Sequence, residues 1–338
     1  MSDAADTLPP VTPPLPWQHA AWERLLASHR GGSLPHALLL AGLPGTGCER
    51  FALAFSRYLL CAAPVQGMNC GECKACRLTA SGAHGDFLAL EPTGKGQVIQ
   101  VGQVREAIAF GAQTPGLGRC KVLLIAPAER MNAAAANALL KTLEEPPANT
   151  YLLLVTGAES RLPATVRSRC QVLRFPIPAP DECLPWLAEG SDSEAARQAL
   201  SLASGRPLRA AALLREGEVA TATKQRAAVE ALLAGRAAAR AVDAALAELP
   251  LDAFLELLAR TLQDAVRALS PAALRGPPGL GLLACLDEVQ GASRAVASGA
   301  NPQPELTRAT LLGAVEARLG ERGGGAKLRS VFSPVTRA

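Results

Sequence analysis

Four cysteines near residue 70 are spaced closely enough to hold one metal ion. They follow the pattern C-x8-C-x2-C-x2-C and are Cys61, Cys70, Cys73 and Cys76. Four thiolates with such spacing suit a tetrahedral zinc ion at Zn–S distances of about 2.3 Å and leave no coordination position open. The cluster therefore predicts a structural zinc site. Free or redox-active thiols are the alternative, because Cys73 and Cys76 alone would be a weak Cys-x-x-Cys signal.

A glycine-rich segment between an apolar run and a helical pattern is typical of a phosphate-binding loop. In a working loop, backbone N–H groups surround the phosphates, a Lys contacts the terminal ones, and a Ser or Thr holds magnesium. Those two positions are Cys48 and Glu49 here. We predict a degenerate loop without tight, magnesium-dependent turnover, and weak nucleotide binding through the backbone stays open. The residues in question are Gly42, Gly45, Gly47, Cys48 and Glu49.

A second element lacks the residues that ATP hydrolysis requires. The apolar run 121–125 leads into Ala126 and Pro127. An ATPase of this architecture carries an acidic pair there, which holds magnesium and polarises the attacking water. Two such losses together favour a former ATPase over an ordinary glycine turn.

These residues must be positioned by an alternation of strands and helices. Short apolar runs alternate with helical patterns in the first half, which predicts a parallel α/β sheet with crossover helices. The runs are 37–41, 87–90, 122–126, 151–156 and 172–175, and the helical patterns are 49–61, 101–112 and 132–145. We predict a flexible leader (1–16), an α/β domain (17–177) with a zinc-binding insert (61–76), a helical lid (178–218), a helical collar (219–322) and a flexible tail (323–338).

The composition agrees with a globular, helix-rich chain. Of the 338 residues, 49% are hydrophobic and only 4% aromatic, which favours helices over a barrel of short strands. A net charge of +4 neither demands nor excludes a nucleic-acid partner. No run resembles a membrane span or a signal peptide, so we expect a cytoplasmic protein.

Several stretches carry a family resemblance, and they are 35–40, 56–61, 137–147 and 162–170. They resemble the delta-prime subunits of the bacterial DNA polymerase III clamp loader, which are AAA+ proteins. The resemblance implies a RecA-like AAA+ parallel-sheet domain with a small helical lid and an all-α collar that joins subunits. It also implies structural zinc at the four cysteines and a subunit that does not hydrolyse ATP itself.

The implied partners are motor subunits of the gamma/tau type and a delta subunit in a hetero-pentamer. The sliding clamp and primer-template DNA are indirect partners, and no membrane is involved. The complex as a whole belongs to a DNA polymerase holoenzyme of the nucleoid-associated replisome.

Arg169 is the residue to which the resemblance gives a catalytic role. In isolation an exposed arginine is usually solvated surface, but in clamp loaders this Arg enters the ATP site of the neighbouring subunit. A permanently charged guanidinium binds phosphate oxygens with a fork of N–H donors. Thr156 lies where such ATPases sense the terminal phosphate and is expected to cap its strand, and Arg209 resembles the family's lid arginine.

Two other functions compete with this interpretation. One is an active ATPase with a displaced lysine, for which Lys95 between two glycines is the candidate; ATP hydrolysis by the purified chain would support it. The other is a zinc-ribbon nucleic-acid binder, for which Lys74 and Arg77 are the only basic residues around the cluster. Salt-sensitive DNA binding by the α/β domain alone would support that one.

Overall fold

The computed structural model describes residues 9–94, 97–117, 119–297, 300 and 302–319. The chain divides after Ala212 into two compact units. In the part of the chain that the structure describes, the first unit contains five strands, which form one sheet, and the second unit is helical.

The sheet is parallel throughout, with strand order β2-β3-β4-β1-β5. Its strands are β1 (Ala37–Gly42), β2 (Phe87–Leu90), β3 (Lys121–Ile125), β4 (Thr150–Thr156) and β5 (Gln171–Phe175). In the centre, Leu39 of β1 pairs with Leu154 on one side and Val172 on the other. Strands buried on both faces are apolar almost without interruption, which is why the apolar runs locate them. The predicted α/β fold with a parallel sheet is confirmed.

Helices cover both faces of the sheet. The helices of the first unit are α1 (His19–Arg30), α2 (Cys48–Leu60), α3 (Lys74–Ala80), α4 (Val101–Gly111), α5 (Ala133–Glu144), α6 (Ala164–Arg167), α7 (Pro180–Ala188), α8 (Ser193–Leu202) and α9 (Pro207–Arg215), the last of which crosses the division between the units. Alternate residues of β1 face opposite sides, so Leu38 joins a core with α1 and α2 while Leu39 joins a core with α4 and α5. On the first face, Trp22 packs edge-on against Phe51 and Phe55 at 5.3 and 5.6 Å between ring centroids.

The segment 9–18, which we call the N-terminal strap, corrects one prediction. Residues up to 16 were expected to be flexible, yet Thr12 and Leu15 are buried. The backbone N–H of Thr12 donates to Asn69 Oδ1 at 3.0 Å, and Asn69 Nδ2 donates to the carbonyl of Pro10 at 2.8 Å. Arg57 Nη1 donates to the carbonyl of Pro9 at 2.9 Å and also to Thr12 Oγ1. The prediction of a flexible leader is therefore wrong for residues 9–16. Their prolines resemble those of a linker, but they fix an extended backbone that packs against the domain.

Residues 1–8 of the predicted leader and all of the predicted tail, 323–338, lie outside the described residues.

A buried ion pair fastens the loop before β3. Lys121 Nζ lies 3.2 Å from Asp86 Oδ1, and the two side chains are 3% and 2% exposed. The N–H groups of Gly116 and Leu117 donate to the same carboxylate at 2.7 and 2.8 Å, and Nζ lies 4.0 Å from the centre of the Phe110 ring. Burial raises the pKa of Asp86, but these donors and the ammonium outweigh it and hold the pKa below its usual range.

Lys121→Met is expected to lower the free energy of unfolding by about 3–5 kcal/mol, because it leaves a buried carboxylate without its cation. Since the pKa of Asp86 is lower in the folded state, its stabilising effect is present above about pH 4 and is lost as the pH falls through the folded-state pKa. Urea denaturation at pH 7 and pH 3 measures both effects. The control is Arg174→Met, which breaks an exposed pair with Glu159 and should change stability by less than about 1 kcal/mol. Equal losses for the two variants would contradict the prediction.

The described residues of the second unit form six further helices: α10 (Val219–Leu233), α11 (Ala239–Ala245), α12 (Leu251–Ala268), α13 (Pro271–Leu274), α14 (Pro277–Ala297) and α15 (Pro304–Leu319). One face of α12 forms its core through Phe254, Leu258 and Leu262, which recur every four residues and are fully buried. An all-helical second half was predicted, and the domain bounds proposed at 177 and 218 remain a prediction. No described helix is both long and apolar enough to cross a membrane.

Candidate functional site

The glycine-rich segment forms a tight turn between β1 and α2. Gly45 and Gly47 have φ angles of 90° and 96°, which L side chains rarely adopt, so glycine is required at both positions. Between them Thr46 is buried, and its Oγ1 donates to the carbonyl of Leu43 at 2.7 Å. The turn therefore keeps the strand-to-helix form predicted for a phosphate loop.

The N-terminal strap packs on one side of this loop. Trp17 Nε1 donates to the carbonyl of Thr46 at 2.9 Å, and Gln18 Nε2 donates to the carbonyl of Gly47 at 2.9 Å. A Cβ atom added to Gly47 would lie only 2.5 Å from Leu15 Cδ1. The strap thus binds the loop directly and leaves no room for a side chain at Gly47.

The start of α9 packs on the other side of the loop. The N–H of Leu208 donates to the carbonyl of Gly45 at 3.0 Å, and a Cβ on Gly45 would lie 3.2 Å from Arg206 Cβ and 3.4 Å from Arg209 Cβ. Arg209, which resembles a lid arginine, is therefore adjacent to the loop. Its role stays a prediction.

Cys48 and Glu49 begin α2, where a working loop has its lysine and its magnesium ligand. The Cys48 thiol is buried, and burial raises its pKa to about 11, so it is neutral at pH 7. Glu49 brings negative charge to the first turn of the helix, where the positive end of the helix dipole attracts anions. A neutral thiol and a carboxylate do not supply the charges that bind magnesium and phosphate.

Cys48→Lys is expected to leave the chain without ATPase activity, because Glu49, Ala126 and Pro127 are unchanged. It should also lower the free energy of unfolding by about 1–3 kcal/mol, since a cation enters a buried site. ATP turnover and thermal denaturation of the variant test this, with Cys48→Ala as the control that removes the thiol without adding charge. Magnesium-dependent turnover by Cys48→Lys would show that the missing lysine is the only defect.

The end of β3 carries Ala126 and Pro127, as the sequence indicated, and a carboxylate that sequence reasoning missed. Glu129 lies in a short 3-10 helix, and its Oε1 accepts a hydrogen bond from the N–H of Gly157 at 3.1 Å. Its Oε2 is buried with no hydrogen-bond partner among the residues that the structure describes. A Cβ on Gly157 would lie 3.4 Å from this carboxylate and 3.1 Å from Pro44. The only indication of it in the sequence was an acidic residue shortly after Ala126 and Pro127, which replace the acidic pair.

Thr156 ends β4 next to this carboxylate. Its Oγ1 accepts a hydrogen bond from the N–H of Ala158 at 3.1 Å. This is the strand-end cap that was expected of it.

The four predicted metal ligands lie together. The Sγ atoms of Cys61, Cys70, Cys73 and Cys76 are all within 4.8 Å of one another, and the pairs 61/73 and 70/76 are each 3.9 Å apart. Sulfurs at the corners of a tetrahedron with 2.3 Å Zn–S bonds are about 3.8 Å apart. Two of the six Sγ–Sγ distances match this value and the rest are within about 1 Å of it or shorter, so the cluster is compatible with a four-coordinate zinc ion.

Backbone and side-chain N–H groups support the thiolate form of the cluster. The N–H groups of Cys70, Cys73 and Cys76 donate to the preceding sulfur of the cluster at 3.3–3.4 Å, and Asn69 Nδ2 donates to Cys76 Sγ at 3.4 Å. The N–H of Cys73 is the largest of the causes that lower the pKa of Cys70. These donors orient the sulfurs as a second shell does around a bound metal.

Arg169 lies in the turn between α6 and β5, with its side chain 34% exposed. Its Nε and Nη2 donate to Glu144 Oε1 at 2.8 and 2.5 Å, and its Nη1 donates to the carbonyl of Thr165 at 3.0 Å. Lys95, the displaced lysine of the alternative interpretation, lies outside the described residues. Lys74 and Arg77 of the zinc-ribbon alternative lie on α3, and Arg77 Nη1 donates to the carbonyl of Glu72.

Comparison with known proteins identifies relatives of the first unit. A family model described as DNA polymerase III, delta subunit, matches residues 17–179. The delta' subunit of DNA polymerase III from Pseudomonas aeruginosa is 44% identical over 207 residues, which is 60% of this chain and 62% of that protein. The delta' subunit from Escherichia coli is 41% identical over 201 residues, covering 59% of this chain and 60% of that protein.

Further matches are a tau/gamma subunit and a solved structure. The tau/gamma subunit of Haemophilus influenzae is 35% identical over 149 residues, which is 44% of this chain and 21% of that protein. A gamma subunit-related protein of Thermotoga maritima aligns with 87% of this chain and 99% of its own, at a TM-score of 0.47 and 19% identity.

The matches to the delta' subunits span about three fifths of the length of those relatives. The family-model match, residues 17–179, contains the degenerate loop, the cysteine cluster and Arg169. Over residues 17–179 this chain is similar to the DNA polymerase III delta family, and the relatives that it matches at 41–44% identity are delta' subunits.

Proposed function

We propose that this chain is a clamp-loader subunit of DNA polymerase III that does not hydrolyse ATP. The observation that carries the proposal is the state of the phosphate loop. Its fold is kept, but a buried neutral thiol and a carboxylate occupy the positions of the lysine and the magnesium ligand. Ala126 and Pro127 replace the acidic pair, so both catalytic elements have lost the groups that phosphoryl transfer uses.

The contribution of this chain to catalysis is Arg169, acting in the ATP site of a neighbouring subunit. A guanidinium at the edge of a domain is able to stabilise the charge that develops on a terminal phosphate. The partially exposed position of Arg169 suits that role. Because the degenerate loop of this chain is proposed not to hydrolyse ATP, Arg169 is not needed there.

The proposed setting is a hetero-pentamer with gamma/tau-type motor subunits and a delta subunit in the cytoplasm, at the replisome. The helical collar would join the subunits, and the assembly would place the sliding clamp on primer-template DNA. Support comes from the family match of the α/β domain and from the tau/gamma relative of the same domain.

Structural zinc is part of the proposal. When bound, zinc would link Cys61 at the end of α2 to the loop and helix that carry the other three cysteines. The tetrahedral spacing of the sulfurs and their N–H donors support it. Four sulfur ligands leave no position for a reacting group, so the site would stabilise the fold only.

Reconstitution tests the proposed function. The full chain is combined with gamma/tau-type and delta subunits, the clamp and primed DNA, and clamp loading and ATP turnover are measured with and without it. We expect stable assembly and loading only in its presence, and no turnover by the chain alone. ATP hydrolysis by the purified chain, or full loading without it, would refute the proposal.

A further inference from the structure

Arg169 is held by its own chain on more than one side. Two of its nitrogens donate to the same oxygen of Glu144, at 2.8 Å from Nε and 2.5 Å from Nη2. The third, Nη1, donates to the carbonyl of Thr165 at 3.0 Å and to Ser168 Oγ at 3.4 Å. The guanidinium is thus oriented before any partner arrives.

These bonds leave the guanidinium able to bind a further anion. A guanidinium has five N–H groups in a planar fork, and the three bonds of 3.0 Å or less use one on each nitrogen. One N–H therefore remains on Nη1 and one on Nη2, and the longer contact with Ser168 is the one that an incoming oxygen would replace. Two terminal N–H groups are what a bidentate contact with a phosphate needs.

Both ends of the Arg169–Glu144 pair are fixed by packed elements. Glu144 is the last residue of α5, and the preceding Leu143 is buried, with its carbonyl 2.9 Å from His36 Nε2. Arg169 follows α6, which Val166 anchors in the same core. The position of the carboxylate is therefore set by the helix and not by a mobile loop.

We propose that Glu144 is a positioning residue for Arg169: it holds the guanidinium by its lateral edge so that the terminal N–H groups stay available to the phosphate of a neighbouring subunit's nucleotide. This inference rests on the proposed role of Arg169. The alternative, in which the carboxylate competes with the phosphate and restrains the arginine, requires the lateral bonds to break. The N–H groups that Glu144 and Thr165 do not use, one of which makes only the longer contact with Ser168, make that unnecessary.

The loss of Glu144 should lower turnover without affecting ATP binding. Arg169 would then sample several rotamers and reach the productive orientation less often. We expect Glu144→Ala to lower kcat of the reconstituted complex about tenfold at the site that Arg169 completes, with KM for ATP unchanged. Glu144→Gln keeps one oxygen acceptor at the same place and should lose about threefold.

The experiment uses the full chain assembled with motor and delta-type subunits, the clamp and primed DNA. ATP titrations are compared for Glu144→Ala, Glu144→Gln, Arg169→Ala and the double variant Glu144→Ala/Arg169→Ala. The matched control is Glu145→Ala, which removes an exposed carboxylate one residue further on and should behave as wild type. The double variant should turn over no more slowly than Arg169→Ala alone, because Glu144 acts through the arginine.

Each result separates this inference from the proposed function. Wild-type turnover of Arg169→Ala would refute the role of the arginine, and with it the inference. Reduced turnover of Arg169→Ala with wild-type turnover of Glu144→Ala would refute the positioning role alone. A rise in kcat for Glu144→Ala would show restraint and overturn it, as would losses that multiply in the double variant. If Glu144→Ala does not assemble, Glu144→Gln decides, because it preserves the side-chain shape.

Discussion

Arg169→Ala is expected to lower ATP turnover about 10³-fold at the one site of the reconstituted complex that this chain completes. Arginine fingers accelerate related phosphoryl transfers by about 10³–10⁵-fold, and a 10³-fold loss corresponds to about 4 kcal/mol of transition-state stabilisation. Arg169→Lys should recover only part of it, because a lysine keeps the charge but lacks the fork. Single-turnover measurements with clamp and primed DNA are needed, since the other motor sites continue to hydrolyse ATP.

The control for this experiment is Arg174→Ala. Arg174 lies on β5, close in sequence to Arg169, and its pair with Glu159 is exposed. Its removal should leave turnover unchanged. Equal turnover of Arg169→Ala and wild type would show that this chain supplies no catalytic group to its neighbour.

Removal of zinc is expected to have a large effect on stability. Structural zinc binds zinc-finger peptides with an apparent free energy of about 10–16 kcal/mol at pH 7, and part of that energy should stabilise the first unit. We expect one zinc per chain by mass spectrometry, and a fall of about 10 °C in the thermal midpoint on chelation or in Cys76→Ser. Cys170→Ser changes a thiol outside the cluster and should retain the metal. Full zinc content in Cys76→Ser would contradict the four-thiolate site.

Metal loss should also expose the N-terminal strap to proteases. Asn69, which donates to Cys76 Sγ, also holds Pro10 and Thr12 of the strap. Chelation is therefore expected to speed cleavage within residues 9–12 relative to the zinc-bound chain. Mass spectrometry of limited digests measures the site and rate of cutting. Identical rates with and without chelator would show that the metal does not hold the strap in place.

Much of the α/β domain could be predicted from sequence because the signals are local. The apolar runs located all five strands with bounds within one residue of those observed, since strands buried on both faces need continuous apolar sequence. The cysteine cluster was predictable for a similar reason, as three of its four ligands lie within seven residues.

What the sequence could not show depends on contacts between distant residues. The composition of the strap is that of a linker. Its contacts with Arg57, Asn69 and the phosphate loop make it part of the packed domain. Likewise, Glu144 and Arg169 are 25 residues apart, and their pairing depends on how α5 packs against α6. No periodicity or motif reports such a contact.

The contacts of the N-terminal strap with the phosphate loop bear on evolution. Gly47 has no space for a side chain beside Leu15, and the loop carbonyls are bound by Trp17 and Gln18. A single mutation that restored a lysine at position 48 would change none of these contacts, and it would leave the carboxylate of Glu49 in the first turn of α2 and Ala126 and Pro127 after β3. If this chain does not hydrolyse ATP, as proposed, selection would therefore have no advantageous first step towards regaining hydrolysis.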